Sequence, residues 1–268
     1  MIDLHHHLLF GVDDGSKSLD QSVAMVTMAV EDGITHIVAT PHADDAWSYD
    51  RDRNAAILQE IRDALSADVA ERVTLGLGCD FHVMVENTED AHKHPRRYTI
   101  NETEYLLIEL PDVGIPTRLD EVLYKLRLDG LTPILTHPER NATLQRSRDR
   151  LKEWMASGLL LQVTAGSLTG HFGTTAETMA WELLQNNWVF CLATDAHNLD
   201  RRPPHMSSAR KLVAERLGEA TAERLCVTNP LAVFEGRPLP QQPMPLGVFK
   251  QFGEDEDDAP WWRRIFRR

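Results

Sequence analysis

Hydrophobic and polar residues alternate along most of the chain in a pattern of short apolar runs and longer amphipathic stretches. Short continuous apolar runs predict strands that are buried on both faces, and apolar residues every three or four positions predict helices. Strands are predicted near residues 2–7, 34–40, 73–80, 105–110, 132–136, 159–163 and 188–194. Helices are predicted near residues 18–32, 51–65, 119–128, 144–156, 175–185, 205–217 and 219–225. Ser18 is the expected N-cap of the first helix.

This alternation predicts an α/β fold with a parallel sheet that helices cover on both faces. An open, doubly wound sheet and a closed or nearly closed barrel both satisfy the pattern. The barrel explains better why polar residues recur just after the strands, since barrel enzymes build their sites at the carboxyl ends of their strands.

The folded domain is expected to span residues 1–236, and the rest of the chain has a different composition. Pro238, Pro240, Pro243 and Pro245 predict a linker without regular hydrogen-bonded structure. An acidic run follows at residues 254–258, and residues 261–268 are aromatic and basic. The aromatic and basic tail is expected either to contact a membrane surface or a kinase partner, or to fold back onto the domain.

Composition narrows the class of protein. The 268-residue chain has a formal net charge of −13, which argues against nucleic acid as a partner. Its three Cys residues indicate no disulfide framework and favour a reducing compartment. We find no signal peptide and no apolar run near the roughly 20 residues of a membrane span, so a cytoplasmic location is expected.

Ionisable residues cluster at or just after the predicted strands. His5 and His7 point to the same side of the first strand, because side chains alternate along a strand. Buried carboxylates repel one another, and cations between them would remove that cost. Mixed imidazole and carboxylate ligands suit zinc, iron or manganese. The candidates are His5, His7, Asp13, Asp14, His42, Asp80, Glu109, His137, Asp195 and His197.

This set of residue types indicates metal-assisted hydrolysis of a phosphoester. Closely spaced divalent ions lower the pKa of a shared water and neutralise phosphoryl oxygens. Arg140 and Arg202 follow two of the strand ends, and a guanidinium offers a fork of donors to phosphate; Arg201 is less favoured. Cysteine phosphatase chemistry is excluded, because no Cys is followed by Arg six positions later. Neither a phosphate loop of the Gly-x-x-x-x-Gly-Lys type nor a Gly-x-Ser-x-Gly elbow occurs.

A set of short motifs in a fixed order resembles the polymerase and histidinol phosphatase (PHP) superfamily. More narrowly, Val12-Asp13-Asp14-Gly15 and residues 197–204 resemble the bacterial protein-tyrosine phosphatases of capsule and exopolysaccharide loci, of the CpsB/YwqE type. The resemblance covers about residues 1–234. The remaining motifs are His5-His6-His7, Thr40-Pro41-His42, Ile108-Glu109, Thr136-His137-Pro138-Glu139-Arg140 and Thr194-Asp195-Ala196-His197-Asn198.

The resemblance implies a distorted seven-stranded (β/α)7 PHP-type barrel that holds three divalent metal ions, usually manganese, with iron or zinc as alternatives. Asp80 would bridge the first two ions, although relatives usually carry Glu at that place, and Asp is one methylene shorter. Arg140 and Arg202 would bind the phosphoryl group. The implied ligand groups are His5, His7 and Asp195 for the first ion, Glu109 and His137 for the second, and Asp14, His42 and His197 for the third.

The implied activity is hydrolysis of phosphotyrosine on a protein. The usual substrate in such families is the phosphorylated tail of a bacterial tyrosine autokinase that controls capsule or exopolysaccharide synthesis. Two alternatives stay open at this point. One is a PHP-type small-molecule phosphatase that acts on histidinol phosphate or a sugar phosphate, and the other is a non-catalytic binding module. The sequence leaves the oligomeric state open.

Overall fold

The computed structural model describes residues 1–111 and 114–249. The acidic run and the aromatic and basic tail of the sequence lie outside these residues, so their predicted roles stay predictions. Within the described ranges, no helix combines the length and the apolar character that crossing a bilayer requires.

Nine parallel strands form the centre of the described protein. The strands are β1 (Ile2–His6), β2 (His36–Ala39), β3 (His42–Ala43), β4 (Thr74–Leu77), β5 (Asp80–His82), β6 (Tyr105–Glu109), β7 (Thr132–Leu135), β8 (Leu160–Thr164) and β9 (Cys191–Ala193). β1, β2 and β4 pair in that order, and β3, β5, β6, β7, β8 and β9 pair in that order.

The nine strands occupy seven positions in one curled parallel sheet. β3 follows β2 after two residues and β5 follows β4 after two residues, and each pair occupies one position. The backbone N–H of Asp195 donates to the carbonyl of His5 at 2.9 Å, and His6 pairs with Ala196, which joins β9 to β1. The parallel α/β fold that the sequence predicts is therefore confirmed.

The prediction of one continuous strand over residues 73–80 is wrong, because this segment contributes to two separate strands, β4 and β5. The neighbouring position in the sheet is also interrupted, between β2 and β3, at Pro41, which has no N–H to donate to the ladder. Backbone hydrogen bonds from Gly78 to Ala39 (2.8 Å) and from Asp80 to Pro41 (3.1 Å) carry the pairing across the gap. The two interrupted strands distort the barrel at the positions that carry His42 and Asp80.

Twelve α-helices follow or connect the described strands. They are α1 (Leu19–Glu31), α2 (Arg51–Ala64), α3 (Ala67–Arg72), α4 (Val85–Lys93), α5 (Leu119–Leu128), α6 (Ala142–Arg146), α7 (Asp149–Ala156), α8 (Ala165–Leu168), α9 (Thr174–Gln185), α10 (Ser207–Leu217), α11 (Glu219–Glu223) and α12 (Asn229–Phe234). The helices α3, α4, α8 and α12 were not predicted from the sequence.

The predicted caps and boundaries hold in some helices and not in others. Ser18 caps α1 as predicted, because its side chain accepts a hydrogen bond from the N–H of Gln21 at 3.2 Å. The single helix predicted over 144–156 is wrong. Ser147 adopts an extended backbone with φ −149° and ψ 125°, and this residue separates α6 from α7.

Apolar side chains of the strands pack into two clusters that fix the polar strand ends in place. The larger cluster joins the strands to the surrounding helices and contains buried residues such as Val26, Leu106 and Trp154. A smaller cluster joins Leu4 and Leu107 to the other strands and to α12. Burial of a large aliphatic side chain stabilises the fold by about 1.5–3 kcal/mol, so these clusters hold each strand firmly.

Residues 237–249 have no helix or strand and lie against the barrel. The hydroxyl of Tyr105 donates to the carbonyl of Arg237 at 2.7 Å. The indole N–H of Trp188 donates to the carbonyl of Leu246 at 2.8 Å, and the N–H of Leu246 donates to the carbonyl of Asn186. The domain boundary near residue 236 stays a prediction.

Candidate metal centre

Polar side chains from neighbouring strands converge at the carboxyl ends of the sheet. In the parallel register His42 of β3 lies beside Asp80 of β5, and His82 of β5 lies beside Glu109 of β6. The described residues form several groups of His and carboxylate whose ligand atoms lie within 4.8 Å of one another. These groups contain all nine predicted metal ligands, namely His5, His7, Asp14, His42, Asp80, Glu109, His137, Asp195 and His197.

The imidazoles of His5 and His7 form the centre of the first group. Their Nε2 atoms are 3.1 Å apart, as their alternation along β1 predicts. Asp80 Oδ2 lies 3.2 Å from His5 Nε2. Asp195 Oδ1 lies 3.4 Å from His5 Nε2 and 3.5 Å from His7 Nε2. Two nitrogens and two carboxylates therefore surround one point.

Glu109 is the centre of the second group. Its Oε1 lies 3.2 Å from His137 Nε2, and its Oε2 lies 3.4 Å from His42 Nδ1. Asp80 Oδ2 is 3.5 Å from the same His42 nitrogen. Asp80 thus lies between the first and second groups, which is the position that the resemblance implies for it.

Asp14 connects two imidazoles in the third group. Its Oδ1 lies 3.4 Å from His42 Nε2 and 3.3 Å from His197 Nε2. The ligand atoms of His7 lie within reach of the same three residues. The Asp14 side chain is 53% exposed, so the cluster reaches the protein surface here.

Two side chains hold the imidazoles of His5 and His7 in orientation, and the sequence did not reveal these contacts. Asp13 Oδ2 lies 2.8 Å from His7 Nδ1, and Gln162 Oε1 lies 3.0 Å from His5 Nδ1. Each contact leaves the Nε2 atom facing the cluster, as is usual for metal-binding histidines. The available signal for Gln162 was a polar residue inside the apolar run of β8.

The backbone is strained at two of the candidate ligands. His137 has φ 33° and Asp195 has φ 53°, which are left-handed values that L-residues rarely adopt. The pairing of β1 with β2 also shifts register between Asp3 and His6, a bulge of the kind that redirects side chains. Strain of this kind costs about 1–3 kcal/mol per residue and concentrates at functional sites.

The charges of the cluster shift the pKa values of its members strongly. Burial lowers the pKa of His5, but Asp80 and Asp195 outweigh burial and raise it to about 9. Burial likewise opposes the charged form of His42, whereas Asp14 and Glu109 raise its pKa to about 12. At neutral pH and without bound cations both imidazoles are therefore protonated, because the nearby carboxylates stabilise their positive charge.

Several buried polar atoms of the cluster have no hydrogen-bond partner among the described residues. They include both carboxylate oxygens of Asp80, Oε2 of Glu109 and Nδ1 of His42. A buried carboxylate without donors is costly, and a divalent cation would satisfy these atoms. The nitrogen and oxygen donors fit zinc, iron or manganese, and none of the described metal-ligand groups contains Cys.

The guanidinium groups of Arg140 and Arg202 meet at the edge of this cluster. Both contact Oδ2 of Asp195, which is almost completely buried, while their side chains are 20% and 24% exposed. The guanidinium of Arg140 also lies over the ring of Phe172, 4.6 Å from its centroid. Arg201 is exposed. The two predicted phosphate-binding arginines therefore border the metal-ligand groups.

The buried side chain of His6 belongs to none of the ligand groups that the described residues form. Both of its ring nitrogens lack a hydrogen-bond partner among these residues, and burial lowers its pKa to about 3.

Asp44 and His82, by contrast, form a ligand group with His42, and the sequence did not predict either. The available signal was the polar, apolar, polar pattern Asp80-Phe81-His82 at a strand end.

Several known proteins are similar to this chain in sequence. The family model described as capsular polysaccharide synthesis, CpsB/CapC, matches residues 1–235. CapC of Staphylococcus aureus is 34% identical over 207 residues, which cover 76% of this chain and 79% of that protein. The tyrosine-protein phosphatase YwqE of Bacillus subtilis strain 168 is 30% identical over 256 residues, 94% of this chain and 99% of its own length.

A solved structure is similar over nearly the same length. It comes from a study of YwqE from Bacillus subtilis and CpsB from Streptococcus pneumoniae, which are described as metal-dependent tyrosine phosphatases. The match has a TM-score of 0.81 and 28% sequence identity, and it covers 92% of this chain and 99% of that one.

Proposed function

The chain belongs to the capsular polysaccharide synthesis CpsB/CapC family, and from this premise we propose that it is a metal-dependent phosphatase that hydrolyses phosphotyrosine on a protein. The observation that carries the proposal is the contact of Arg140 and Arg202 with Asp195. This contact brings two phosphate-binding groups to the edge of the His and carboxylate cluster. The names of the relatives support the same activity.

Three groups of side chains would hold divalent ions in this proposal, in the ligand sets that the resemblance implies. His5, His7 and Asp195 supply the first set, Glu109 and His137 the second, and Asp14, His42 and His197 the third, with Asp80 between the first two. Divalent ions, when bound, supply a more acidic water and neutralise negative charge on phosphoryl oxygens. We propose three ions and manganese as the metal.

The protein's own residues position the phosphoryl group. Arg140 and Arg202 each have several N–H donors and use only part of them on Asp195, so the rest are free to bind phosphoryl oxygens. Phe172 lies against the guanidinium of Arg140 and restricts its movement. The leaving tyrosyl oxygen has an ordinary pKa near 10, so a dedicated general acid is not essential.

The exposure of the site favours a protein substrate. Asp14 is half exposed and both arginines are partly exposed, so a segment of polypeptide can approach the cluster from the surface. We propose the phosphorylated tyrosine-rich tail of a bacterial tyrosine autokinase as the substrate and the cytoplasm as the location. The domain of residues 1–236 would carry the activity, and the tail beyond it would contact the kinase or the membrane.

The test is phosphate release from metal-stripped protein with manganese added back. A phosphotyrosine peptide and histidinol phosphate serve as parallel substrates, and a phosphoserine peptide of the same sequence serves as the control. We expect release from the phosphotyrosine peptide that depends on manganese and is much faster than from the other two.

Other outcomes redirect the proposal. Release from histidinol phosphate alone would favour the small-molecule phosphatase. Release from none of the three, with metals bound, would favour the non-catalytic binding module, and the shorter Asp80 would be the first residue to change.

A further inference from the structure

Asp44 and His82 lie at the rim of the metal centre and belong to none of the three proposed ligand groups. Asp44 follows β3 directly, and His82 is the last residue of β5. Their side chains are 19% and 23% exposed, and the distance from His82 Nε2 to Asp44 Oδ2 is 3.9 Å. The ligand atoms of both residues lie within 4.8 Å of those of His42.

The strand register explains why these residues meet. His42 lies beside Asp80, and His82 lies beside Glu109. Side chains two positions apart along a strand lie on the same face of the sheet. The side chain of Asp44 therefore lies on the same face as that of His42. The side chain of His82 likewise lies on the same face as that of Asp80, which is the face that carries the cluster. Asp44 and His82 therefore form one further layer toward the solvent.

The atoms of this layer are available to a ligand. Oδ1 of Asp44 accepts hydrogen bonds from the N–H groups of Ala46 (2.7 Å) and Trp47 (2.8 Å), which fixes the side chain. Its Oδ2 faces His82. The carbonyl of His82 accepts hydrogen bonds from the side chain of Asn87 and the N–H of Met84, so the end of β5 is held as well.

A buried oxygen of Glu109 provides an independent observation. The imidazole nitrogen Nε2 of His82 contacts Oε2 of Glu109. This oxygen is buried, and within the described residues it has no hydrogen-bond partner of regular geometry. His42 Nδ1, which lies 3.4 Å from the same oxygen, is also buried without a partner. Imidazole nitrogens and a carboxylate oxygen that converge in this way are the donor atoms that a divalent transition-metal ion takes.

We propose that Asp44 and His82, together with Glu109 and His42, form an outer binding position for a divalent transition-metal ion. Imidazole and carboxylate are the ligands that such ions take in proteins. The inference rests on the proposed metal centre, because Glu109 and His42 belong to both. The outer position shares two residues with the metal centre and is partly exposed. We therefore expect it to hold its ion more weakly than the three inner positions hold theirs.

The test counts and locates bound ions and does not measure activity. Metal-stripped full-length protein is dialysed against increasing free Zn²⁺, and bound zinc is counted by mass spectrometry of the metal. We expect the wild-type protein to bind one more equivalent of zinc than His82→Asn and Asp44→Asn at the highest concentration. Asp44→Asn keeps the Oδ1 acceptor for Ala46 and Trp47, so the loop that it fixes is preserved.

His92→Asn is the matched control, because His92 is an exposed imidazole whose Nδ1 lies 2.8 Å from Asp129 Oδ2, on α4 and away from the cluster. It should bind as many zinc ions as the wild-type protein. Anomalous diffraction from a zinc-soaked crystal should show a peak between Asp44 and His82. Equal zinc counts for the wild-type protein and both rim variants, or no peak at this place, would overturn the inference.

The outer position and the proposed function can fail separately. Metal-dependent phosphotyrosine hydrolysis without zinc between Asp44 and His82 overturns the outer position alone. Zinc at that place in a protein that releases no phosphate supports the outer position and counts against the proposed function.

Discussion

Asp13 orients His7, because its Oδ2 lies 2.8 Å from His7 Nδ1 and leaves the other ring nitrogen facing His5. The second carboxylate oxygen of Asp13 accepts a hydrogen bond from the N–H of Gly15 at 2.9 Å. One side chain therefore connects the turn after β1 to an imidazole of the candidate metal centre.

Asp13→Asn should weaken metal binding while the fold stays intact. The amide keeps an oxygen for Gly15 but removes the negative charge that supports His7. Loss of such a supporting contact usually costs about 10- to 100-fold in metal affinity. Competition with a chelator of known affinity measures the change. Asp20→Asn, at an exposed position of α1, is the control, and equal affinities for the two variants would contradict the supporting role of Asp13.

Arg202→Lys should lower kcat/KM for a phosphotyrosine peptide by about 100-fold, because an ammonium cannot present the fork of donors that a guanidinium offers. Metal content should not change, because Arg202 is not a ligand. The neighbouring substitution Arg201→Lys changes an exposed side chain and should keep wild-type kinetics. If the two variants had the same activity, Arg202 would not bind the phosphoryl group.

Metal binding near pH 7 should release about one to two protons. In the metal-free protein the pKa values of His5 (about 9) and His42 (about 12) lie above this pH, so both imidazoles are protonated. Nitrogen must lose its proton to bind a metal, so apparent affinity rises as pH increases toward these pKa values. Calorimetric titrations in two buffers with different enthalpies of ionisation count the protons. Identical heats in both buffers would contradict protonated imidazoles.

Divalent ions should stabilise the folded protein, and His137→Ala should lose part of that stabilisation. Each ion at 100 times its dissociation constant adds about 2.7 kcal/mol to the free energy of unfolding. His137→Ala removes a ligand of the second group, so the urea midpoint of this variant should rise less with added manganese, and its hydrolysis of phosphotyrosine should fall to background. Circular dichroism of the metal-free variant shows whether the fold is kept, and retained turnover would argue against the metal mechanism.

The sequence predicted the fold and ten candidate ligand residues, Asp13 among them, because both depend on local patterns, and the family resemblance reduced the ten candidates to nine. Apolar runs followed by His or a carboxylate identify strand ends, and Ser18 identifies the start of α1. The contact between His5 and Gln162 could not be predicted in this way, since the two residues are 157 positions apart and meet only through the closure of the sheet. The separation of β4 from β5 was missed because residues 73–80 form one nearly continuous apolar run in the sequence.

Asp195 has a single negative charge that two guanidiniums and the imidazoles of His5 and His7 share. An ion bound at Asp195 would compete with Arg140 and Arg202 for that charge and free their donors for phosphate. Binding of metal and binding of phosphate should therefore be cooperative, and thermodynamic linkage requires that each strengthens the other by the same factor. The protein would then hold its ions most tightly while phosphate occupies the site, and would exchange them most readily between turnovers.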